Sequence, residues 1–427
     1  GNVYLGEIPT IQPEFTEHLH ILLGWADEKA KLGVRANADT PMDAAKARHY
    51  GATGIGLCRT ERMFNDPQRL PLVVEMILAD TLEDREKYLD RLRQFQRMDF
   101  KGIFKAMSPH PVTIRLLDPP IHEFLPFENE LVKQIRTLRK LEALSQAFQE
   151  LMEGVKILDQ EVHTTYLDGM AKIPVDLGPL DPGTVAKAIS KKELMLQRAR
   201  ILREVNPMLG HRGVRLGITN PEIYSMQIRA ILEAAAECMK EGVEVHPEIM
   251  IPQVAMEEEL RWVKKYVDQV REQVEAEYAI QLDFRFGTMI EVVRACVTAD
   301  KMAEAAEFFS FGTNDLTQAT FSFSREDAEN KFLPFYQESG ILPYNPFEAI
   351  DVRGVGPLMK MAVEMGRNAR PDLKVGICGE HGGHPGSIRF CHEVGLDYVS
   401  CSGPRVPIAR LAAAHAAMEE SGVDKSL

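Results

Sequence analysis

Phe284-Arg285-Phe286-Gly287-Thr288-Met289-Ile290-Glu291 and, further on, Phe308-Phe309-Ser310-Phe311-Gly312-Thr313-Asn314-Asp315 share one design. Each is a short apolar, β-rich run that ends on polar residues capable of chemistry. The same kind of run recurs at Val34–Ala38, Gly54–Cys58, Val112–Leu117, Gly213–Gly217, Pro247–Ile251, Lys374–Cys378 and Asp397–Cys401. Long amphipathic segments fill the gaps. Strands alternating with helices imply a parallel sheet with crossover helices. Of the candidates, Gly213–Gly217 is short and glycine-flanked, and we set it aside. The remainder predict an α/β chain folded as a (β/α)8 TIM-type barrel.

The helical segments carry their own signals. Pro221–Lys240 places Pro221 at the first helical position, with Asn220 as the expected cap. Ile223, Gln227, Ile228, Ile231, Leu232 and Ala235 form its buried stripe. Met256–Ala276 and Pro404–Glu420 read similarly. Pro13–Leu32 predicts a helix with Phe15, Leu19, Leu22 and Ala26 on one side, stopped by Gly33. The rhythm breaks between Leu117 and Asn206, where no convincing strand occurs. Leu131–Lys156 is helical by pattern, and Thr164–Asp181 is irregular, so an insertion on a βα loop is expected at about 128–200. The expected layout is residues 1–33 as the tail of a preceding domain and a linker helix, then the barrel over 34–427. A first residue other than Met points to a piece cut from a longer chain.

The chain has 427 residues, 45% apolar and 26% charged, with a net charge of −13. This is globular composition, and it argues against nucleic acid as the main partner. A local pocket for a small anion is still compatible with it. Nothing is long and apolar enough to suggest a membrane span. The six cysteines are dispersed with no CxxC, which argues against zinc or a redox pair and fits a reducing, intracellular compartment.

Barrel active sites lie at the C-terminal ends of the strands. The residues expected there are Arg59, Arg115, Glu291 and Asp315, with Arg212 beside the discarded run. Arginine offers a rigid fork of donors for phosphate or carboxylate oxygens. Two carboxylates suit Mg²⁺, which takes few protein ligands. Taken singly, a strand-end arginine is more often a surface or salt-bridge residue, and a lone strand-end glutamate is more often no ligand; together they suit phosphoryl transfer. The loop Gly312-Thr313-Asn314-Asp315 could hold small anionic oxygens, or could be a plain turn with an Asn/Asp cap. Cys378, in a glycine-rich loop with Glu380 and His381, could deliver a proton from a thiol of near-neutral pKa tuned by those neighbours. A buried structural cysteine is the other reading, and Cys401 is the rival thiol.

Several stretches resemble the phosphoenolpyruvate-utilising enzymes. They are Gly54-Ile55-Gly56-Leu57-Cys58-Arg59-Thr60-Glu61-Arg62-Met63-Phe64, Glu248-Ile249-Met250-Ile251-Pro252, Gly287-Thr288-Met289-Ile290-Glu291, Phe309 to Gln318, and the Cys378 loop. Arg115-Leu116-Leu117-Asp118-Pro119-Pro120 and Asn206-Pro207-Met208-Leu209-Gly210-His211-Arg212-Gly213 look like the dikinase branch rather than enzyme I or phosphoenolpyruvate synthase. The motifs run in family order over nearly the whole chain.

The resemblance implies the pyruvate/phosphoenolpyruvate-binding barrel of a phosphotransferase that interconverts ATP, pyruvate and phosphate with AMP, phosphoenolpyruvate and diphosphate. The phosphoryl group would arrive on a histidine of another domain of the full-length chain. Arg59, Arg115 and Arg212 would bind it, Glu291 and Asp315 would hold Mg²⁺, and Ser310, Gly312, Thr313 and Asn314 would contact substrate. Cys378 would protonate the enolate carbon. The resemblance further implies a homodimer through the barrel, in the cytoplasm by default, with a plastid, glycosome or peroxisome as alternatives. The phosphohistidine and nucleotide-grasp motifs of the family are absent from this sequence. A barrel serving only as a dimerisation or regulatory platform is the non-enzymatic rival.

Overall fold

In a computed structural model, the described residues are 6, 16–156 and 182–421. They divide into two compact units. One comprises Gly1–Asp66, Leu89–Asp118 and Arg212–Leu427; the other comprises Pro67–Tyr88 and Pro119–His211.

The first unit is a closed barrel of parallel strands: β1 (Gly33–Asn37), β2 (Ile55–Arg59), β3 (Pro111–Arg115), β4 (His246–Ile251), β5 (Arg285–Ile290), β6 (Phe308–Phe311), β7 (Lys374–Ile377) and β8 (Tyr398–Ser402). They pair in sequence order, and β8 closes on β1 with Gly33 beside Tyr398. The expected (β/α)8 architecture is therefore correct. So is the exclusion of Gly213–Gly217: Val214–Thr219 is a short helix.

Pro221–Lys240 is helical as expected and buries the whole predicted stripe. Asn220 does not cap it through its side chain; the amide donates to Thr219 Oγ1 instead, at 3.0 Å. The N-terminal helix spans Glu17–Lys29 and is capped by Thr16. It buries Leu23 and Ala26, while Leu22 is exposed, so its apolar face is rotated from the expected one. It ends before Gly33, which already belongs to β1. Phe15 and Thr164–Asp181 lie outside the described residues.

The barrel interior is filled by rings set against glycines. A Cβ at Gly376 would overlap the Tyr398 ring, and one at Gly287 would overlap Phe308. The Tyr398 ring in turn lies 4.0 Å from the Arg35 guanidinium, a cation–π contact. Arg35 is buried on β1 and pairs with the equally buried Glu248 of β4 at 2.6 Å. Thr113 of β3 accepts from Arg35 (3.0 Å) and donates to Glu248 (2.6 Å). Lys374 of β7 stands 3.6 Å from the same carboxylate. One polar cluster thus ties five strands from inside.

The second unit contains the helices Leu70–Leu78, Glu128–Lys156 and Pro182–Leu202. The last two pack together, with Leu131, Ile135, Val185 and Ile189 buried. Ion pairs Arg139–Glu193 (2.6 Å), Arg200–Glu128 (2.8 Å) and Arg198–Asp80 (2.6 Å) lie along their exposed sides. Pairs of this kind contribute little to stability.

Burial by itself would raise the Glu248 pKa, but Arg35 beside it prevails and brings it down to about 2. Its contribution is therefore complete above the ordinary carboxyl pKa and is lost as pH falls towards about 2. Glu248→Gln keeps the shape but leaves Arg35 buried without its counter-ion. It should cost about 3–5 kcal/mol in urea unfolding at neutral pH. The deficit relative to wild type should shrink in strong acid; a constant deficit would show that the charge pair is not its source.

Candidate functional site

The parallel strands deliver the site at their C-terminal ends. Arg59 is the last residue of β2 and Arg115 the last of β3. Glu291 directly follows β5, Gly312 follows β6 and Cys378 follows β7. Asp315 lies in the first turn of the helix Thr313–Phe321. Arg212 comes from no strand. It precedes Gly213, whose backbone has φ 57° and whose N–H donates to the Asp118 carbonyl at 2.8 Å. A Cβ on residue 213 would lie 2.7 Å from the Cβ of Gln253, so this tight turn needs glycine.

Asp118 gathers two of the arginines. One carboxylate oxygen is 2.7 Å from Arg115 Nη1 and 2.6 Å from Arg212 Nη2; the other accepts from Arg212 Nε at 3.1 Å. Burial would raise the Asp118 pKa, but Arg115 and Arg212 win and lower it. Arg115 also donates to Glu61, while its Nε–H is buried without an acceptor among the described residues. Arg212 Nη1 reaches to 3.6 Å from Asp315 Oδ1. Arg59 is more exposed than the other two and is held by Asp39, through Nε (3.2 Å), Nη2 (2.8 Å) and its backbone N–H (2.8 Å).

Glu291 is buried beside this cluster. Its Oε1 accepts the Gln253 N–H at 2.7 Å, from a residue held in the left-handed region at φ 60°. Among the described residues, no donor reaches its Oε2. Burial, then the charge of Asp315, raise the Glu291 pKa well above the carboxylate range. Burial raises Asp315 as well. Two carboxylates in one largely buried site need a proton or a cation between them. A Cβ at Gly312 would lie 2.6 Å from Glu291 Oε2, so the glycine keeps that oxygen open.

Thr313 Oγ1 is 2.7 Å from His381 Nδ1, and His381 Nε2 donates to the Pro346 carbonyl at 2.9 Å. Because a carbonyl only accepts, the neutral ring carries its proton on Nε2, and the Thr313 hydroxyl donates to Nδ1. Among the described residues, no donor reaches Asn314 Oδ1. Cys378 is buried. Burial pushes its thiol up to about 11, with the Ser310 hydroxyl and the charge of Arg115 pulling the other way. The near-neutral thiol expected from sequence is not found, and neither expected tuner points at it. Glu380 is paired with Arg325 at 2.9 Å, and His381 is engaged as above. The rival Cys401 has its thiol pushed up to about 12 by burial, with Arg405 as its charged neighbour.

The structure thus assembles Arg115, Arg212, Glu291 and Asp315, and brings Ser310 and Cys378 within the same field. Arg59 acts on Cys378 through its charge but does not share Asp118. Sequence reasoning quoted Asp118 and Glu61 only as parts of motifs, and missed Asp39. A carboxylate three residues beyond a strand-end arginine was the available signal for Asp118. Nothing local marked the Gln253 N–H.

Residues 14–418 match the model of the PEP-utilising enzyme, PEP-binding domain. The chain belongs to this family. Among curated relatives of the PEP-binding domain, it is 52% identical to "Pyruvate, phosphate dikinase" of Entamoeba histolytica, over 97% of this chain and 42% of that protein. It is 48% identical to "Pyruvate, phosphate dikinase 2" of Oryza sativa subsp. japonica (97% and 41%) and 47% identical to "Pyruvate, phosphate dikinase" of Giardia intestinalis (98% and 42%). The chain therefore spans about two fifths of the length of the relatives it matches. Among the described residues, no helix is long and apolar enough to cross a membrane.

A carboxyl whose pKa is raised on folding binds more protons in the native state, so it costs stability as pH rises above the unfolded value. Glu291→Gln removes that cost. With divalent ions chelated, its thermal midpoint should exceed that of wild type at pH 8 and match it near pH 4. Equal midpoints at both pH values would contradict the assignment of a strained Glu291–Asp315 pair.

Proposed function

We propose that this chain is the pyruvate/phosphoenolpyruvate-binding part of a pyruvate, phosphate dikinase. In the whole enzyme, ATP, pyruvate and phosphate would give AMP, phosphoenolpyruvate and diphosphate. The half-reaction at this site would move a phosphoryl group between a phosphohistidine of another domain of the full-length chain and pyruvate. The observation that carries the reading is the Asp118 cluster: two arginine forks and a strained carboxylate pair, on one rim of a barrel of this family. The relatives' names support the branch.

The residues fit Mg²⁺. Glu291 Oε2 is a buried acceptor without a donor among the described residues, and Asp315 supplies a second carboxylate. An ion that takes one or two carboxylates and keeps its waters suits such a pair. Mg²⁺ held there supplies Lewis-acid polarisation of the substrate's ketone oxygen.

The chain's own groups do the rest. Arg115 and Arg212, held by Asp118, and Arg59, held by Asp39, offer their remaining N–H groups to the phosphoryl oxygens. Their forks match those oxygens and stabilise the group as it transfers. Thr313, Asn314 and Ser310 orient the substrate, and Gly312 leaves it room. The Cys378 thiol, pushed up to about 11, keeps its proton at neutral pH and is poised to give it to the carbon of the enolate when phosphoenolpyruvate is consumed. The same reading takes residues 34–427 as the barrel with an insertion at about 128–200, residues 1–33 as the tail of a preceding domain and a linker helix, and a homodimer as the assembly.

Two measurements test it. Calorimetry should show Mg²⁺-dependent binding of oxalate, an enolate mimic, and Glu291→Ala should weaken it at least about tenfold, the scale of losing a charged contact. Cys378→Ala should abolish deuterium exchange at the pyruvate methyl in D₂O while leaving oxalate affinity nearly intact. Exchange at the wild-type rate would remove Cys378 from the mechanism.

A further inference from the structure

Beyond β3 the chain has to leave the barrel ladder and still place Asp118 precisely. Leu116 makes the last ladder bond, its N–H donating to the Met250 carbonyl at 3.0 Å. At Leu117 neither flanking strand takes the peptide groups, yet the residue is fully buried. Buried backbone groups need partners. Both come from the helix Pro221–Lys240: Leu117 N–H donates to Gln227 Oε1 at 2.8 Å, and Tyr224 Oη donates to the Leu117 carbonyl at 3.0 Å. Tyr224 and Gln227 are three residues apart and so share one helix face. Both are fully buried. Gln227 is itself steadied by Gln96, whose Oε1 accepts from its Nε2 at 3.4 Å.

The same tyrosine supports the other arm of the site. A Cβ at Gly217 would overlap the Tyr224 ring, so the short helix Val214–Thr219, which follows Arg212, rests directly on it. Gly213 N–H then bonds back to the Asp118 carbonyl. Leu117-Asp118 and Arg212-Gly213 are therefore two arms resting on one ring. The charges of Asp118, Arg115 and Glu291 all act on the Tyr224 hydroxyl, which places it beneath the cluster.

We infer that Tyr224 and Gln227 are positioning residues: a buried two-point clamp on the Leu117 peptide that sets Asp118, and through it the Arg115 and Arg212 forks, for the phosphoryl group. The inference rests on the phosphoryl-binding reading above. It deepens that reading by assigning the pre-organisation of the forks to a helix that contributes no charged group to the site. Without the clamp, Leu117 loses a bond on each side, and Asp118 can no longer hold both guanidiniums in one geometry. Ligands that use the forks should suffer, and ligands held by Glu291 and Asp315 should not.

The test compares phosphoenolpyruvate with Mg²⁺–oxalate by calorimetry on this chain. Tyr224→Phe keeps the ring and removes the hydroxyl; Gln227→Met keeps the bulk and removes the acceptor. Each should raise the Kd for phosphoenolpyruvate about tenfold while oxalate changes by less than about twofold, the scale of one lost hydrogen bond acting on one ligand only. Partial unfolding lowers the number of sites for both ligands alike, so the ratio of the two constants reports on the folded molecules. A ratio unchanged from wild type in both variants overturns the clamp. Wild-type protein that binds neither ligand instead overturns the functional reading itself.

Discussion

The barrel depends on one buried ion pair. Arg35 and Glu248 stand nearly across the interior from each other, and their partners Thr113, Lys374 and Tyr398 bring in three further strands. Such a pair is expensive to bury and is compensated only when its remaining donors and acceptors are satisfied. Here Thr113 accepts from one partner and donates to the other, and the Tyr398 face covers the guanidinium. The arrangement rewards a single register of β1, β3, β4, β7 and β8. A one-residue slip would turn these side chains out of the interior. Gly376 belongs to the same solution, because only a residue without a side chain admits the Tyr398 ring that closes over Arg35.

That register is what brings the chemistry together. Arg59, Arg115, Glu291 and Cys378 are far apart in sequence but stand at or just beyond the C-terminal ends of β2, β3, β5 and β7. The barrel thus separates two tasks: a permanently satisfied charge cluster lies within its interior, and a frustrated one lies at the C-terminal rim. In the interior, Glu248 has its pKa lowered by Arg35. At the rim, Glu291 and Asp315 are raised, an oxygen lacks a donor, and Gln253 is held in a left-handed backbone. Strain and unsatisfied groups gathered at one place are typical of a site built for a ligand rather than for stability.

Much of this was legible in the sequence, because period and composition carry it. The strand runs and the helix Pro221–Lys240 are local patterns, and strand ends follow from them. Local patterns also produced the errors. Asn220 has the right identity for a cap, yet its amide finds Thr219 first; the rotation of the N-terminal helix depends on what it packs against. The pairing of Asp118 with Arg212 was invisible, since it exists only after the barrel closes. The Cys378 thiol was open to two readings, near-neutral or buried, for a related reason. Its pKa is set by burial among Leu57, Met250, Met289 and Phe308, which come from four different strands.

The three arginines of the rim are each braced by the chain's own anions. Asp118 and Glu61 hold Arg115, Asp118 holds Arg212 and Asp39 holds Arg59. Arginine is among the side chains with the most rotamer freedom to lose. Here that freedom is given up when the chain folds, so a ligand meeting these guanidiniums would not bear the cost of ordering them. Internal carboxylates thus move an entropic cost from binding to folding.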